Sequence, residues 1–142
     1  MAALLTPTTV KLRFAAPDEG PLIHTLLLAS GKPNIEGVDW TQSIGAHWLL
    51  ACAPDPVGCI CIQPGLPIAR MEILCVDPLL PKRLRARVAR DLCYFAMNIA
   101  ESLGAQCISS VVNVDTSPGW AKVVERRGAV PWDRGMLYLK RL

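Results

Sequence analysis

Between His47 and Val76 three short apolar runs follow one another with proline-rich breaks between them, and this stretch restricts the fold more than any other part of the sequence. The runs His47 to Cys52, Val57 to Ile62 and Ala69 to Val76 are rich in β-formers or small apolar residues. Ala53-Pro54-Asp55-Pro56 and Gln63-Pro64-Gly65-Leu66-Pro67 separate them. Each run is too short for a packed helix, and each break carries turn residues, so three consecutive antiparallel strands are predicted. The longest periodic element follows at once. From Lys82 to Leu103, residues Leu84, Val88, Leu92, Phe95, Ala96, Ile99 and Leu103 share one helical face, with Arg83, Arg87, Arg90, Asn98 and Glu101 mostly on the other. Gly104 is placed to cap its C-terminus.

The flanks add shorter elements. Val10 to Phe14 alternates apolar and basic residues as an edge strand does, and Pro17-Asp18-Glu19 starts a helix whose face is Leu22, Ile23, Leu26 and Leu27, ended by Gly31. Lys32 to Ala46 has no sustained period and reads as a loop or broken helix. Gln106 to Val112 reads as a buried strand, Ser117-Pro118 opens a short helix running to Arg127 before Gly128, and Gly135 to Arg141 supplies a last strand. With no repeat and no linker, residues 1–142 are expected to form one α/β domain, with residues 1–9 as a lead-in.

Composition narrows the function classes. The chain is 51% hydrophobic with a mean hydropathy of +0.31, yet no apolar run approaches the roughly 18 residues that span a bilayer, which assigns the hydrophobicity to a core. Met1 to Leu5 is too short and lacks the preceding basic residue of a secretion signal, so a cytoplasmic location is expected. Cys52, Cys59, Cys61, Cys75 and Cys107 fall in predicted strands and Cys93 on an apolar helix face, where reduced thiols act as small hydrophobes. Cys59-Ile60-Cys61 has the wrong spacer for a zinc knuckle, and His24 and His47 have no acidic companions nearby, which argues against a metal. A net charge of +3 does not argue for nucleic acid, and no aromatic residues interleave the basic ones to stack bases. The charge is nevertheless uneven: Lys82, Arg83, Arg85, Arg87 and Arg90 crowd the start of the long helix.

The order strand, helix, irregular segment, three strands, long helix, strand, helix, strand resembles the GNAT acyltransferase fold from about residue 10 to 142. Local segments carry the resemblance as well. Val57-Gly58-Cys59-Ile60-Cys61-Ile62 looks like the family's third strand, Met71-Glu72-Ile73-Leu74-Cys75-Val76-Asp77-Pro78 like its fourth with the usual Val-x-Pro, and Glu125-Arg126-Arg127-Gly128 like the end of its last helix. The resemblance implies a central mixed, mostly antiparallel sheet flanked by helices, acetyl-CoA as co-substrate and an amine as acceptor. It implies that the pyrophosphate of coenzyme A sits at the start of the long helix, beside Cys75 and Val76 of the fourth strand and Lys82, Arg83, Leu84, Arg85, Ala86 and Arg87, with Ser117 at the family's Asn position. It further implies Glu72 as general base, on the same strand face as Val76 by the period of two, and an acceptor site near Asn34 and Trp40.

Departures from the pattern are specific. In the family's Gln/Arg-x-x-Gly-x-Gly/Ala turn, Pro81 replaces the Gln or Arg and Leu84 the first glycine, so only Ala86 fits. Val124 stands where the last helix usually carries a proton-donating Tyr, and Tyr94 and Tyr138 lie elsewhere. Two readings follow. One is an acetyl-CoA-dependent N-acyltransferase. The other is a GNAT-like scaffold without catalysis, serving in assembly with a protein partner or a second copy; small GNAT-like internal virion proteins of short-tailed phages are similar in their basic turn and in the segment Gly128-Ala129-Val130, a reading that puts the chain inside a phage particle. Glu72 has an alternative role too, as a charge paired with Arg70, and the basic cluster as a solvated helix face. Trp48, Trp120 and Trp132 are assigned to packing.

Overall fold

The computed structural model describes residues 8–30, 47–112 and 118–131. The chain divides after Val111 into two units. In the first, β1 (Lys11–Phe14), β2 (His47–Cys52), β3 (Pro56–Gln63), β4 (Ile68–Val76) and β5 (Cys107–Ser109) form one sheet in sequence order, with α1 (Gly20–Ala29) after β1 and α2 (Lys82–Ser102) between β4 and β5. The first four strands pair antiparallel and β5 lies parallel to β4. A parallel neighbour requires a long crossover, which α2 provides.

The three predicted central strands and the long helix are where the apolar pattern put them. Leu103 caps α2, and Gly104 follows at φ +89°, a left-handed conformation that glycine adopts without strain. β5 is shorter than expected. Its ladder covers Cys107–Ser109 rather than residues 106–112, and Cys107 is exposed, so this thiol is not the buried hydrophobe anticipated for it. The other five cysteines are buried and reduced. The expected segments Lys32 to Ala46 and Gly135 to Arg141 fall wholly outside the described residues.

Both faces of the sheet are covered. On one, Trp48, Leu50, Cys52, Cys59, Cys61 and Cys75 pack with Ile23, Leu26 and Leu27 of α1. On the other, Gly58 meets α2: a β-carbon built there would stand 2.8 Å from Val88 Cγ1, 3.2 Å from Leu92 Cδ1 and 3.1 Å from the Cys75 carbonyl. Val88 and Leu92 are fully buried. The glycine thus sets how closely α2 approaches β3. Gly58→Ala is expected to destabilise the protein by about 1–2 kcal/mol through overpacking against the helix and an immovable carbonyl. An unchanged urea midpoint would show that α2 shifts outward freely.

The junction of β1 and α1 is ionic. Arg13 donates to both carboxylate oxygens of Glu19, at 2.6 and 2.8 Å, and the Ala16 N–H donates to Glu19 Oε1 at 2.7 Å. The Arg13 guanidinium first and the Ala16 N–H second hold the Glu19 carboxyl down at about 2, against an ordinary 4.5. A depressed folded-state value adds stability above pH 4.5 that is lost as pH falls towards 2. Glu19→Gln is therefore expected to flatten the stability profile in that window and leave its shape above pH 6 unaltered. A profile identical to that of the parent protein would exclude this pair as a contributor.

The second unit contributes α3 (Pro118–Arg126). Proline suits a first helical turn, where its missing N–H is not needed, and Gly128 follows the helix at φ +87°. The Gly128 N–H donates to Glu125 O and the Ala129 N–H to Val124 O, closing the last turn.

Candidate active site

The site begins with an irregularity in β4. Cys59 and Cys61 lie two apart on β3, whereas their partners on β4, Cys75 and Glu72, lie three apart. One extra residue is therefore inserted into β4, and Ile73 sits there at φ +56°, a left-handed conformation that costs a β-branched residue roughly 1–3 kcal/mol. The bulge changes which way the side chains go. Glu72 pairs with Cys61 and so lies on the α1 face with Cys59 and Cys75, while Val76 pairs with Gly58 on the α2 face. The expectation that Glu72 and Val76 share a face is thus overturned, because a bulge between them breaks the period of two. No residue type in Met71-Glu72-Ile73-Leu74-Cys75-Val76 announces it.

Next to the bulge the sheet forks. The parallel ladder joins Ile68, Ala69 and Arg70 to Cys107, Ile108 and Ser109 and ends there, whereas β4 continues to Val76. Among the described residues, β4 therefore runs on from Met71 to Val76 beyond the end of its ladder with β5. Glu72 lies two residues beyond the fork. Its Oε1 forms an ion pair with Arg70 Nη2 at 2.9 Å and its Oε2 accepts from Gln63 Nε2 at 3.1 Å, so the alternative role foreseen for it, a partner of Arg70, is realised. The Glu72 side chain is 22% exposed and that of Arg70 57%. Beside them the Cys61 thiol is pushed up to about 12, by burial first and by the Glu72 carboxylate second, so at neutral pH it is no nucleophile.

The open strand leads to α2. The Asp77 N–H donates to Val57 O at 2.8 Å, and Asp77 Oδ1 accepts from the Leu79 N–H at 2.9 Å, fixing the turn. Pro81 takes the N-cap position with φ −53° and ψ 141° and no side-chain cap, and the first intrahelical bond runs from the Arg85 N–H to Pro81 O at 2.9 Å. The N–H groups of Lys82, Arg83 and Leu84 precede that bond and point out of the helix end. No acidic residue occupies the first turn. Arg87 binds Asp91 at 3.6 Å and Thr8 O at 3.0 Å, and Arg90 binds Asp91 at 2.9 Å, while Lys82, Arg83 and Arg85 are exposed and make no ion pair among the described residues.

Of the expected site residues, the structure thus brings Glu72 to the fork, Val76 to the end of the open strand, and Lys82, Arg83, Leu84, Arg85, Ala86 and Arg87 to the first turns of α2. Cys75 is buried on the α1 side, so its side chain belongs to the core. Asn34, Trp40 and Ser117 lie outside the described residues. Gln63 was not anticipated; the only signal for it is its place at the end of β3, opposite Arg70. Among the described residues, no group of three or more His, Cys, Asp or Glu is placed to hold a metal ion, and no helix is long and apolar enough to cross a membrane.

No protein-family model matches the sequence, and no curated protein matches it. Solved structures do. An acetyltransferase from Trypanosoma brucei is 18% identical with a TM-score of 0.66, the match covering 93% of this chain and 100% of that one. The fold is the GNAT fold. Aminoglycoside N-acetyltransferase AAC(6')-Iy, solved in complex with CoA, superposes with a TM-score of 0.71 at 17% identity over 97% of this chain and 100% of the other. Ribosomal-protein-alanine N-acetyltransferase from Brucella melitensis biovar Abortus gives 0.68 at 15% identity over 94% and 99%. The GNAT fold is therefore present here at low sequence identity.

Proposed function

We propose that this protein is an N-acyltransferase that moves an acetyl group from acetyl-CoA to an amine, and that residues 1–142 act as one domain. One observation carries the reading: the part of β4 that runs on beyond the β5 ladder connects a half-buried carboxylate, Glu72, to a helix start that has no side-chain cap, is cationic and is free of acidic residues. A first helical turn ordinarily favours acidic side chains, so cations there oppose the helix dipole, and an anion shared between them relieves that repulsion. A pyrophosphate fits that donor set, with the N–H groups of Lys82, Arg83 and Leu84 and the side chains of Lys82, Arg83 and Arg85 holding it. Leu84 in place of glycine moves the phosphates outward, towards those longer side chains. The acetyltransferase neighbours, one of them a CoA complex, accord with this reading.

Bound acetyl-CoA supplies an activated thioester carbonyl. In the proposed reaction Glu72 takes the proton of the acceptor ammonium, directly or through a water, and the freed amine attacks that carbonyl as the carbon–sulfur bond breaks. The departing sulfur is protonated by water, which takes back the second proton that the nitrogen loses as the amide forms, since Val124 stands at the family's Tyr position. Main-chain groups of β4 on the open side orient the thioester, and Asn34 and Trp40 belong to the acceptor side.

The direct test is thermal unfolding with acetyl-CoA. At a hundred times its dissociation constant, a single-site ligand stabilises the folded protein by about 2.7 kcal/mol. A clear upward shift in Tm is expected, and no shift at millimolar acetyl-CoA would overturn the enzyme reading in favour of a non-catalytic scaffold.

A further inference from the structure

Glu72 is not an isolated carboxylate. On the same sheet face it shares a polar patch with Arg70, two residues earlier on β4, and with Gln63, which pairs with Arg70 across β3. The three side chains form a chain of contacts in which one Glu72 oxygen is ion-paired with Arg70 and the other accepts a hydrogen bond from Gln63. The guanidinium has five N–H donors. One contact, Nη2 to Glu72, is the ion pair the described structure gives it, and more than half of the Arg70 side chain is exposed. The patch therefore offers an acceptor oxygen and a set of cationic donors side by side.

A second observation concerns the same face. Trp48, Cys61 and Glu72 stand in one row across β2, β3 and β4 by their register. Trp48 is 7% exposed, and its buried indole N–H has no hydrogen-bond partner among the described residues. A buried donor left unmatched is uncommon and costs of the order of a lost hydrogen bond. The row thus ends in a carboxylate at one side and begins with an unmatched donor at the other.

We propose that the acceptor is a zwitterionic amine, an amino acid whose carboxylate binds Arg70 while its ammonium binds Glu72. The inference rests on the acyltransferase reading for the fate of the amine, but it concerns recognition alone. A plain ammonium approaching Glu72 meets the positive charge of Arg70 beside it and is repelled. A molecule carrying both charges a few bonds apart lies antiparallel to the Arg70–Glu72 pair and satisfies each end, with the planar guanidinium matched to a carboxylate. Arg70 is then a specificity determinant, and Gln63 holds the Glu72 carboxylate in the plane that presents its free lone pairs to the ammonium.

The test compares α-amino acids with their methyl esters, which keep the ammonium and lose the carboxylate charge. Dissociation constants are measured by ligand-observed NMR on the full chain, with and without acetyl-CoA. Acid is expected to bind at least tenfold more tightly than ester, and Arg70→Gln to bring the ratio close to one by weakening the acid and not the ester. Arg70→Lys, which keeps the charge, should retain part of the preference; a purely structural role for Arg70 would weaken both ligands together. Equal binding of acid and ester, binding of neither, or a preference that survives Arg70→Gln would overturn the proposal. Because binding is read without turnover, the outcomes separate. A preference for the acid with no acetyl transfer sinks the acyltransferase reading alone, and transfer to plain amines at the rate seen with amino acids sinks this one alone.

Discussion

Glu72→Gln is expected to lower kcat by about 10²–10⁴-fold, the range over which a positioned general base accelerates proton transfer. The substitution is nearly isosteric. The amide oxygen still accepts from Arg70 or Gln63, so the local frame is kept while the group that takes the proton is removed. Release of free thiol from acetyl-CoA with an accepted amine measures the loss. Affinity for acetyl-CoA should change by less than about twofold, because the proposed phosphate contacts begin at Lys82, beyond the open strand and the Asp77 turn. Such a split, with kcat falling and cofactor affinity constant, is what removal of a transition-state interaction produces. Equal turnover in the two proteins would take Glu72 out of the mechanism, and a parallel fall in acetyl-CoA affinity would mean that the substitution has disturbed β4 itself.

Different physical rules decide what the sequence reveals about this molecule and what it hides. Elements defined by burial were legible. The runs that became β2, β3 and β4 are continuous apolar segments because both of their faces are covered, by α1 on one side and α2 on the other. The α2 stripe through Val88, Leu92 and Ala96 is periodic for the same reason, and Gly104 marks its end because a left-handed residue is needed there. Features defined by pairing were not legible. Nothing in residues 106–112 tells where the β5 ladder ends, since Val111 and Val112 favour strand as strongly as Ile108 does, and the parting of β4 from β5 after Arg70 is a property of two segments distant in sequence. The bulge is harder still. It places the β-branched Ile73 at a positive φ, where local preference argues against it, and it moves Glu72 to the face opposite Val76. Strain at this point, beside the fork and the carboxylate, fits the general pattern in which local preferences yield where a site is built. Glu72 stands out in the sequence as a carboxylate within an apolar strand, whereas its neighbours Arg70 and Gln63 form a unit with it only through the register.

Replacing the three exposed cations at the start of α2 together, as K82Q/R83Q/R85Q, is expected to move affinity and stability in opposite directions. Each charge near an exposed anion is worth roughly 0.3–1 kcal/mol, so loss of all three should weaken acetyl-CoA binding by about 2 kcal/mol, or some thirtyfold in Kd. The same charges are unfavourable in the free protein. They sit at the positive end of the α2 dipole, repel one another, and have no acidic residue in the turn to compensate. Their removal should therefore raise the Tm of the unliganded protein while lowering the stabilisation that acetyl-CoA confers. Salt provides an independent check, because screening acts on the same terms: the Kd of the parent protein should weaken between 0.05 and 0.5 M salt by roughly tenfold, and that of the variant far less. A surface that is merely solvated would behave otherwise, with a small gain in stability and no change in Kd, and that result would detach the basic cluster from coenzyme A. If affinity and stability fell together, the cations would be holding the fold, which their exposure and lack of ion pairs among the described residues do not suggest. Opposed signs are the mark of groups kept at a cost to the free protein for the sake of an anion it binds.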